Sequence, residues 1–463
     1  MNSTLNIQIK PVKYMECDVA VMGAGPAGSC AAIAAARNGM KVILVEQGGC
    51  AGGMATQGLV GPFMTCYDKS GNVQIIKGLF EEIVEDLVDI DGAIHPSKIR
   101  KQTAYTSWIE KGHDHVTPFD SEKLKLVLDG LLIKEGIKVL YHTTFTTPVI
   151  EENVLKGVIV YSKSGFEQID AKAVIDCTGD ADVAAASGVS FEKGNRETGT
   201  AQPATMFFRM CNVDDEAIEA DIEKNKDNFY RKDGVNYRSF HWWVEKAKMN
   251  GDWDLDRTSL GLYRGVHPDE WCANISRLMN IDSTDNESMT RGEIEGRRQV
   301  DEIFRMIRKY IPGCQDARLM STGSTLGIRE SRHIDGMYRL ELEDILEGKV
   351  PDDSILVCAN SVDVHGRFGP SSNEYITMKD GEYYGLPYRC LVPNGVDGLL
   401  VAGRSLSASS EAAGAVRVMP PVMAMGQAAG TAAALAVKSG QSFRRLDTEK
   451  LKYALIEQKA FLG

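Results

Sequence analysis

Residues 18–46 read DVAVMGAGPAGSCAAIAAARNGMKVILVE. The apolar run Asp18 to Met22 has strand character, Gly23-Ala24-Gly25-Pro26-Ala27-Gly28 is a GxGxxG turn, and the alanine-rich run to Arg37 has helical character. Lys41 to Val45 reads as a second buried strand ending at Glu46. Strand, glycine turn and helix together are the context in which this turn cradles a pyrophosphate. Gly23 permits the tight turn, Gly25 leaves no side chain between backbone and phosphate, and Gly28 lets the helix lie close on the strand. The helix start adds unpaired N–H groups and the positive end of its dipole. Glu46 follows Gly28 by 18 residues, where an acid accepts hydrogen bonds from ribose hydroxyls and favours an unphosphorylated adenosine ribose.

Outward from this unit, Gln47 to Gly58 holds five glycines in twelve residues, which suits close approach of backbone to the same ligand. Cys50 and Cys66 lie in this region without the CxxxxC spacing of a redox dithiol, so no disulfide chemistry is expected of them. Residues 76–91 and 121–135 have helical periodicity, Ile137 to His142 reads as a strand, and Thr143 to Thr147 reads as a turn. Val154 to Tyr161 and Phe166 to Ile169 read as antiparallel strands. Ala173 to Asp176 is a further buried strand, and the turn Thr178-Gly179-Asp180 at its carboxyl end is expected to form a second wall of the dinucleotide site.

The texture changes between 188 and 391, a segment richer in charge that holds four of the five tryptophans, Trp242, Trp243, Trp253 and Trp271. These are expected to pack a core. Residues 290–310 are expected to form an amphipathic, strongly charged helix that is a solvated face. Three polar clusters stand out, at Gly327 to His333, Asp363 to Arg367 and Tyr388-Arg389. Apolar and glycine-rich text then returns in Asp397 to Arg404, and Pro420 to Gly430 opens a small-residue helix. One domain, 1–187 plus 392–463, is therefore interrupted by a second at 188–391.

Composition agrees with a soluble globular chain: 463 residues, 43% hydrophobic and 25% charged. A net charge of −12 argues against nucleic acid or an anionic membrane as the main partner. No apolar run approaches a membrane span and no signal-like segment opens the sequence, so the cytoplasm is the expected compartment. Ten scattered cysteines without a CxxC pair read as reduced thiols rather than metal ligands.

The glycine turn with Glu46, Thr178-Gly179-Asp180, Gly327 to Arg332, Leu400 to Arg404, Arg417-Val418-Met419-Pro420 and Gly426 to Gly430 together resemble bacterial FAD-dependent oxidoreductases. That family is related in fold to the glutathione reductase and fumarate reductase flavoproteins. The resemblance spans nearly the whole chain and implies an α/β fold, in which a Rossmann-like, three-layer FAD-binding domain is interrupted by an α+β substrate or cap domain. It implies FAD along Gly23, Gly25, Pro26, Ala27 and Gly28, with Glu46 and Gln47 at the adenosine ribose. Gly52, Gly53, Met54, Thr178, Gly179, Asp180, Gly403 and Arg404 would line the rest. Many flavoproteins carry Asp where this chain has Arg404, which opens the question of what meets the ribityl chain. The helix after Pro420 would point its N-terminus, at Pro421, Val422 and Met423, toward the flavin pyrimidine edge and stabilise negative charge there.

Family members often carry a histidine shortly before the arginine equivalent to Arg417, whereas this chain has Ser409-Ser410-Glu411. Arg329, Arg332, His365 and Arg417 are the side chains expected to face substrate and do the catalytic work, arginine by clamping a carboxylate and histidine by moving a proton. The implied activity is hydride transfer between flavin and a small polar organic molecule. One GxGxxG is visible, so the external electron partner stays open, and a homodimer is the default assembly. Two other readings share the domain plan. An RNA-modifying flavoprotein is opposed by the acidic charge, and a flavin-free binding module by the intact glycine turns and Glu46.

Overall fold

The computed structural model describes residues 10–64, 66–99, 115–196, 199–232, 235–237, 240–365, 373–376, 379 and 382–463. Gly366 and Arg367 of the second polar cluster lie outside the described residues.

Strand β1 (Lys13–Met22), helix α1 (Pro26–Arg37) and strand β2 (Val42–Val45) form the expected strand, turn, helix and strand. Helices α2 (Leu79–Asp89) and α3 (Ser121–Lys134) follow their apolar periodicity, and Asp120 caps α3 by accepting from the Glu122 N–H at 2.8 Å. Strand β3 (Lys138–Leu140) then joins β2 in parallel.

Two expectations change in this region. Thr143 to Thr147 is not a turn: strand β4 (Thr144–Glu151) begins there and pairs antiparallel with β5 (Val154–Ser162). Threonine is β-branched and suits a strand as readily as a turn, and only the pairing with β5 decides between them. The two strands expected at 166–169 and 173–176 are one, β6 (Gly165–Asp176), paired along its length in parallel with β1. Its first half also pairs with β5, and its last three residues pair in parallel with Leu399–Val401. The sheet order is β3-β2-β1-β6-β5-β4, with the late strand on β6. Leu399–Val401 thus sits in the same sheet as β1, so the first and last parts of the chain share one sheet.

The carboxyl ends of four parallel strands thus lie side by side, at Met22, Val45, Asp176 and Val401. One face of the sheet is covered by α1 and the helix Met419–Ser439, which cross in close contact. Glycine makes that crossing possible: a Cβ at Gly426 would stand 2.1 Å from the Ala27 carbonyl oxygen, and one at Gly430 would stand 2.1 Å from that of Ala31. The two helices consequently start at the same end of the sheet.

The inserted segment has its own core, running from Ala204 to Leu326 around the sheet of Phe208–Cys211, Leu262–Arg264, Trp271–Ala273 and Arg318–Thr322. Trp253 and Trp271 are buried in it, with Trp242 and Trp243 packed against it. The charged helix Asn286–Tyr310 is more than a solvated face. Gly292, Gly296, Val300, Ile303 and Ile307 form a buried stripe against this core. The stripe repeats at the three- and four-residue spacing of an amphipathic helix, and its burial depends on the core that it meets. The cores also divide differently from the expected segment 188–391. Leu340, Ile355, Tyr384, Tyr388 and Leu391 join the core of the nucleotide-binding domain. No helix among the described residues is long and apolar enough to cross a membrane.

Candidate active site

A cavity of about 400 Å³ opens at the carboxyl ends of the parallel strands. Its wall contains Gly23, Gly25, Pro26, Ala27, Glu46, Gln47, Gly53 and Met54 from the first part of the chain. Thr178, Gly179 and Asp180, then Gly403, Arg404, Met419 and Val422, complete it. Residues far apart in sequence meet here because each follows the carboxyl end of a neighbouring strand.

The three glycines of the turn do different work. At Gly23, φ is +91° and a Cβ would lie 2.5 Å from the Cys177 carbonyl oxygen. At Gly28 a Cβ would lie 1.7 Å from the Gly23 carbonyl oxygen. Both are required by the fold itself. A Cβ on Gly25 meets nothing within 4 Å, and Gly25 borders the cavity, so its missing side chain is space left for a ligand. Gly53 is pressed on this turn, its virtual Cβ 2.9 Å from Gly25 Cα.

Glu46 is buried, and its carboxylate accepts from the Ala24 N–H at 2.8 Å and the Gly48 N–H at 2.7 Å. These bonds fix the acid at the end of β2 and leave oxygen lone pairs for hydroxyls. Asp176 has another task. Buried at the end of β6, it accepts from the Thr178 N–H, the Thr178 hydroxyl and the Ala184 N–H, which shapes the 178–184 turn. Burial nevertheless pushes its carboxyl up to about 6.

Arg404 occupies the place where an acid was the familiar alternative. Its Nη2 donates to Asp180 Oδ1 at 2.9 Å, and Ser283 donates to the same oxygen at 2.7 Å. Burial would raise the Asp180 carboxyl, but the Arg404 guanidinium and these hydrogen bonds outweigh it and hold it below the usual carboxylate range. The carboxylate at this part of the wall therefore comes from the turn after β6 instead of from position 404.

The four expected substrate-facing residues divide. Arg329 and Arg417 line the cavity. Arg329 donates to the Pro203 carbonyl and the Thr205 hydroxyl, both at 2.6 Å, and to Asn274 Oδ1 at 3.2 Å. Burial and the facing Arg417 push it down to about 9, so it stays a cation at neutral pH. Arg417 donates to Gln202 Oε1 and to the Asp363 carbonyl, each at 3.2 Å, and its Nε is buried without a partner. Arg332 points elsewhere: it donates to the Asp180 carbonyl at 2.8 Å, pairs with Asp182 at 2.9 Å and lies over the Phe191 ring. Its nearness to Arg329 in sequence misled because Arg332 opens a strand paired with Phe191–Lys193, whereas Arg329 lies in the irregular stretch before it.

His365 is also absent from the cavity wall. Its Nδ1 meets Arg277 Nη2 at 2.8 Å and its Nε2 meets Asp363 Oδ2 at 2.9 Å. Arginine only donates, so Nδ1 accepts and Nε2 carries the proton given to Asp363. Burial, reinforced by Arg277 and Arg329 against the opposing pull of Asp363, holds the imidazole well below its ordinary pKa. His365 is thus a neutral ring with both nitrogens committed, and it orients Arg277 rather than exchanging protons. Pro421 and Met423 are buried, and neither they nor Gly28 and Gly52 line the cavity.

Sequence reasoning passed over Arg277, Gln202, Thr205 and Asn274. Gln202 links the site, since its N–H donates to Glu330 at 2.9 Å and its Oε1 accepts from Arg417. None of these residues belongs to a local pattern. Their only signal was the clustering of positive and amide side chains in the inserted segment.

The donor set fits FAD. Two helix N-termini, a glycine with open space where a Cβ would stand and the buried acid Glu46 border one cavity. The family comparison agrees. Residues 18–455 match the FAD dependent oxidoreductase family. Among curated proteins, thiamine thiazole synthase of Sulfolobus acidocaldarius is 29% identical over 185 residues, 38% of this chain and 60% of that protein. Digeranylgeranylglycerophospholipid reductase of the same organism is 23% identical over 176 residues, 36% of this chain and 35% of its own length. The chain thus spans less than two thirds of either relative. Among solved structures, a geranylgeranyl bacteriochlorophyll reductase-like protein of Thermoplasma acidophilum aligns over 97% of this chain and 85% of its own, at 14% identity and a TM-score of 0.45. With the family match covering nearly the whole sequence, the chain belongs to the FAD dependent oxidoreductase family and is an enzyme whose cofactor is FAD.

Proposed function

We propose that this enzyme moves a hydride between flavin N5 and a carbon of a small polar organic substrate that reaches the cavity beside Arg329 and Arg417. The direction is either oxidation of a C–H bond next to a hydroxyl or amine, or reduction of an activated C=C bond. FAD, when bound, supplies the two-electron chemistry. The chain's residues bind, orient and polarise. The observation that carries the reading is the convergence of the α1 and 419–439 helix starts on one cavity whose wall also holds the guanidinium groups of Arg329 and Arg417.

Each group then has a role. The α1 start and Gly25 would hold the pyrophosphate, and Glu46 the adenosine ribose. Asp180, kept ionised by Arg404, would accept from a ribityl hydroxyl, the contact left open by Arg404 itself. The 419–439 helix start at Met419 and Val422 would favour negative charge on the flavin pyrimidine edge, which raises the reduction potential. Arg329 and Arg417 would orient substrate; Arg332 and His365 act only by positioning others.

The visible spectrum of the purified protein, recorded without oxygen before and after adding NADH or NADPH, is the test. Flavin bands that bleach fit a nicotinamide-fed reductase, and bands that persist until an organic donor is added fit a dehydrogenase. Protein that shows no flavin bands even after FAD is supplied refutes the proposal.

A further inference from the structure

We propose that the substrate is a small organic anion carrying at least two negative charges, one of them a carboxylate, that Arg329 and Arg417 bind it at the cavity wall, and that Arg277, which is not part of that wall but bonds His365, joins them. This inference rests on the flavin-dependent reading above and narrows its substrate class.

The observation is an excess of positive charge at one buried and two half-buried arginines, with buried donor atoms left over. Arg277, Arg329 and Arg417 come from three separate segments, and each acts electrostatically on its neighbour: Arg277 feels Arg329 and Arg257, while Arg329 feels Arg417 and Arg257. The carboxylate facing all three is that of Asp363. Glu330, which also acts on Arg417, is already paired with His333 at 3.2 Å. A guanidinium does not shed its proton to relieve such crowding. Like charges held out of water are therefore destabilising unless an anion joins them.

Hydrogen bonding points the same way. Arg277 Nη2 is used by His365, but Arg277 Nε and Nη1 are buried and have no partner. Arg417 Nε and Gln202 Nε2 are likewise buried and unpartnered. All four are donors, so the missing partner is an acceptor. Neutral His365 contributes to this set, because its Nδ1 accepts from Arg277 and holds that guanidinium without cancelling its charge. Guanidinium forks match planar carboxylates, which accept two parallel hydrogen bonds.

FAD is itself anionic, so the test uses FAD-loaded enzyme at constant ionic strength. Malonate, acetate and uncharged malonamide are titrated while the flavin absorption bands and the melting temperature are followed. The expected result is saturable perturbation and stabilisation by malonate, weaker effects from acetate, and none from malonamide. Arg277→Met should weaken malonate binding by at least about tenfold, the loss of one or more charged hydrogen bonds. It should also leave the ligand-free melting temperature equal or higher, since a repelling charge is gone. A purely structural arginine would lower it. Should the methionine variant fail to fold, Arg277→Lys keeps the charge but loses the fork and should still weaken malonate about tenfold. Malonate and malonamide acting alike, or unchanged malonate affinity in both variants, would overturn the inference. Those results leave the flavin reading intact, which stands or falls separately on whether the protein takes up FAD.

Discussion

Replacing Gly25 with alanine separates what the glycine turn does for the fold from what it does for the cofactor. Gly25 has φ −64° and ψ −173°, a conformation alanine adopts without strain, and its added methyl meets no protein atom within 4 Å. The apo protein should therefore keep its stability, or gain roughly 0.4–1 kcal/mol from a stiffer unfolded chain. The same methyl stands where backbone N–H groups must reach a phosphate. Losing one or two charged hydrogen bonds, about 1.5–3 kcal/mol each, weakens FAD by roughly tenfold to ten-thousandfold. Gly28→Ala is the contrast: its methyl would overlap the Gly23 carbonyl oxygen at 1.7 Å, so the strand-to-helix turn itself must open and the apo protein should melt at a lower temperature. Melting of apo protein and flavin-fluorescence titration measure the two effects independently. Equal FAD affinity in Gly25→Ala and wild type, or equal destabilisation by both substitutions, would refute the assignment of Gly25 to the ligand and Gly28 to the fold.

Gly426→Ala should force apart α1 and the 419–439 helix, since its methyl must move more than 1 Å from the Ala27 carbonyl; a loss of about 1–3 kcal/mol in urea unfolding, with reduced flavin occupancy, is expected. Asp180→Asn should weaken FAD and also destabilise the apo protein by roughly 1–3 kcal/mol, because it strands Arg404 beside a neutral amide; unchanged urea unfolding would exclude this pairing as a structural one. Arg417→Gln should raise KM far more than it shifts the flavin absorption bands, whereas loss of the bands would show that it serves the cofactor instead. Stability should respond to pH through His365. Its folded pKa lies below the unfolded value, so the unfolded chain takes up the extra proton and stability falls as pH drops below about 6.5, by at most about 1.4 kcal/mol per pH unit. Asp176, raised to about 6, has the opposite sign: its stabilisation is complete below the ordinary aspartate pKa and is lost as pH rises toward 6. Unfolding of His365→Gln across pH 5 to 7 isolates the first effect, and a slope equal to wild type would contradict it.

Much of the cofactor half was legible in the sequence because its recognition is local. A glycine turn, the helix that follows it and an acid at the end of the next strand occupy fewer than thirty consecutive residues, and each is demanded by backbone geometry. The late strand at 399–401 and the small-residue helix were legible for the same reason, as apolar runs bounded by glycine and proline. The misreadings share a cause too. Thr143 to Thr147, the single long β6, and the buried stripe of Asn286–Tyr310 all depend on what lies across from them, which no window of sequence contains.

The sequence by itself determined that the chain is an α/β protein built around a dinucleotide cradle, because turns, strand runs and helix starts are encoded by neighbouring residues. Only the tertiary structure decided which side chains gather around Arg329 and Arg417 at the wall of that cradle. Gln202, Arg277, Arg329, His365 and Arg417 belong to five separate segments, and adjacency in sequence would have grouped Arg329 with Arg332 instead. Hydrogen bonds between these segments tie Gln202 to Arg417 and Arg277 to His365, and electrostatics in a buried site depends on distances in space rather than along the chain.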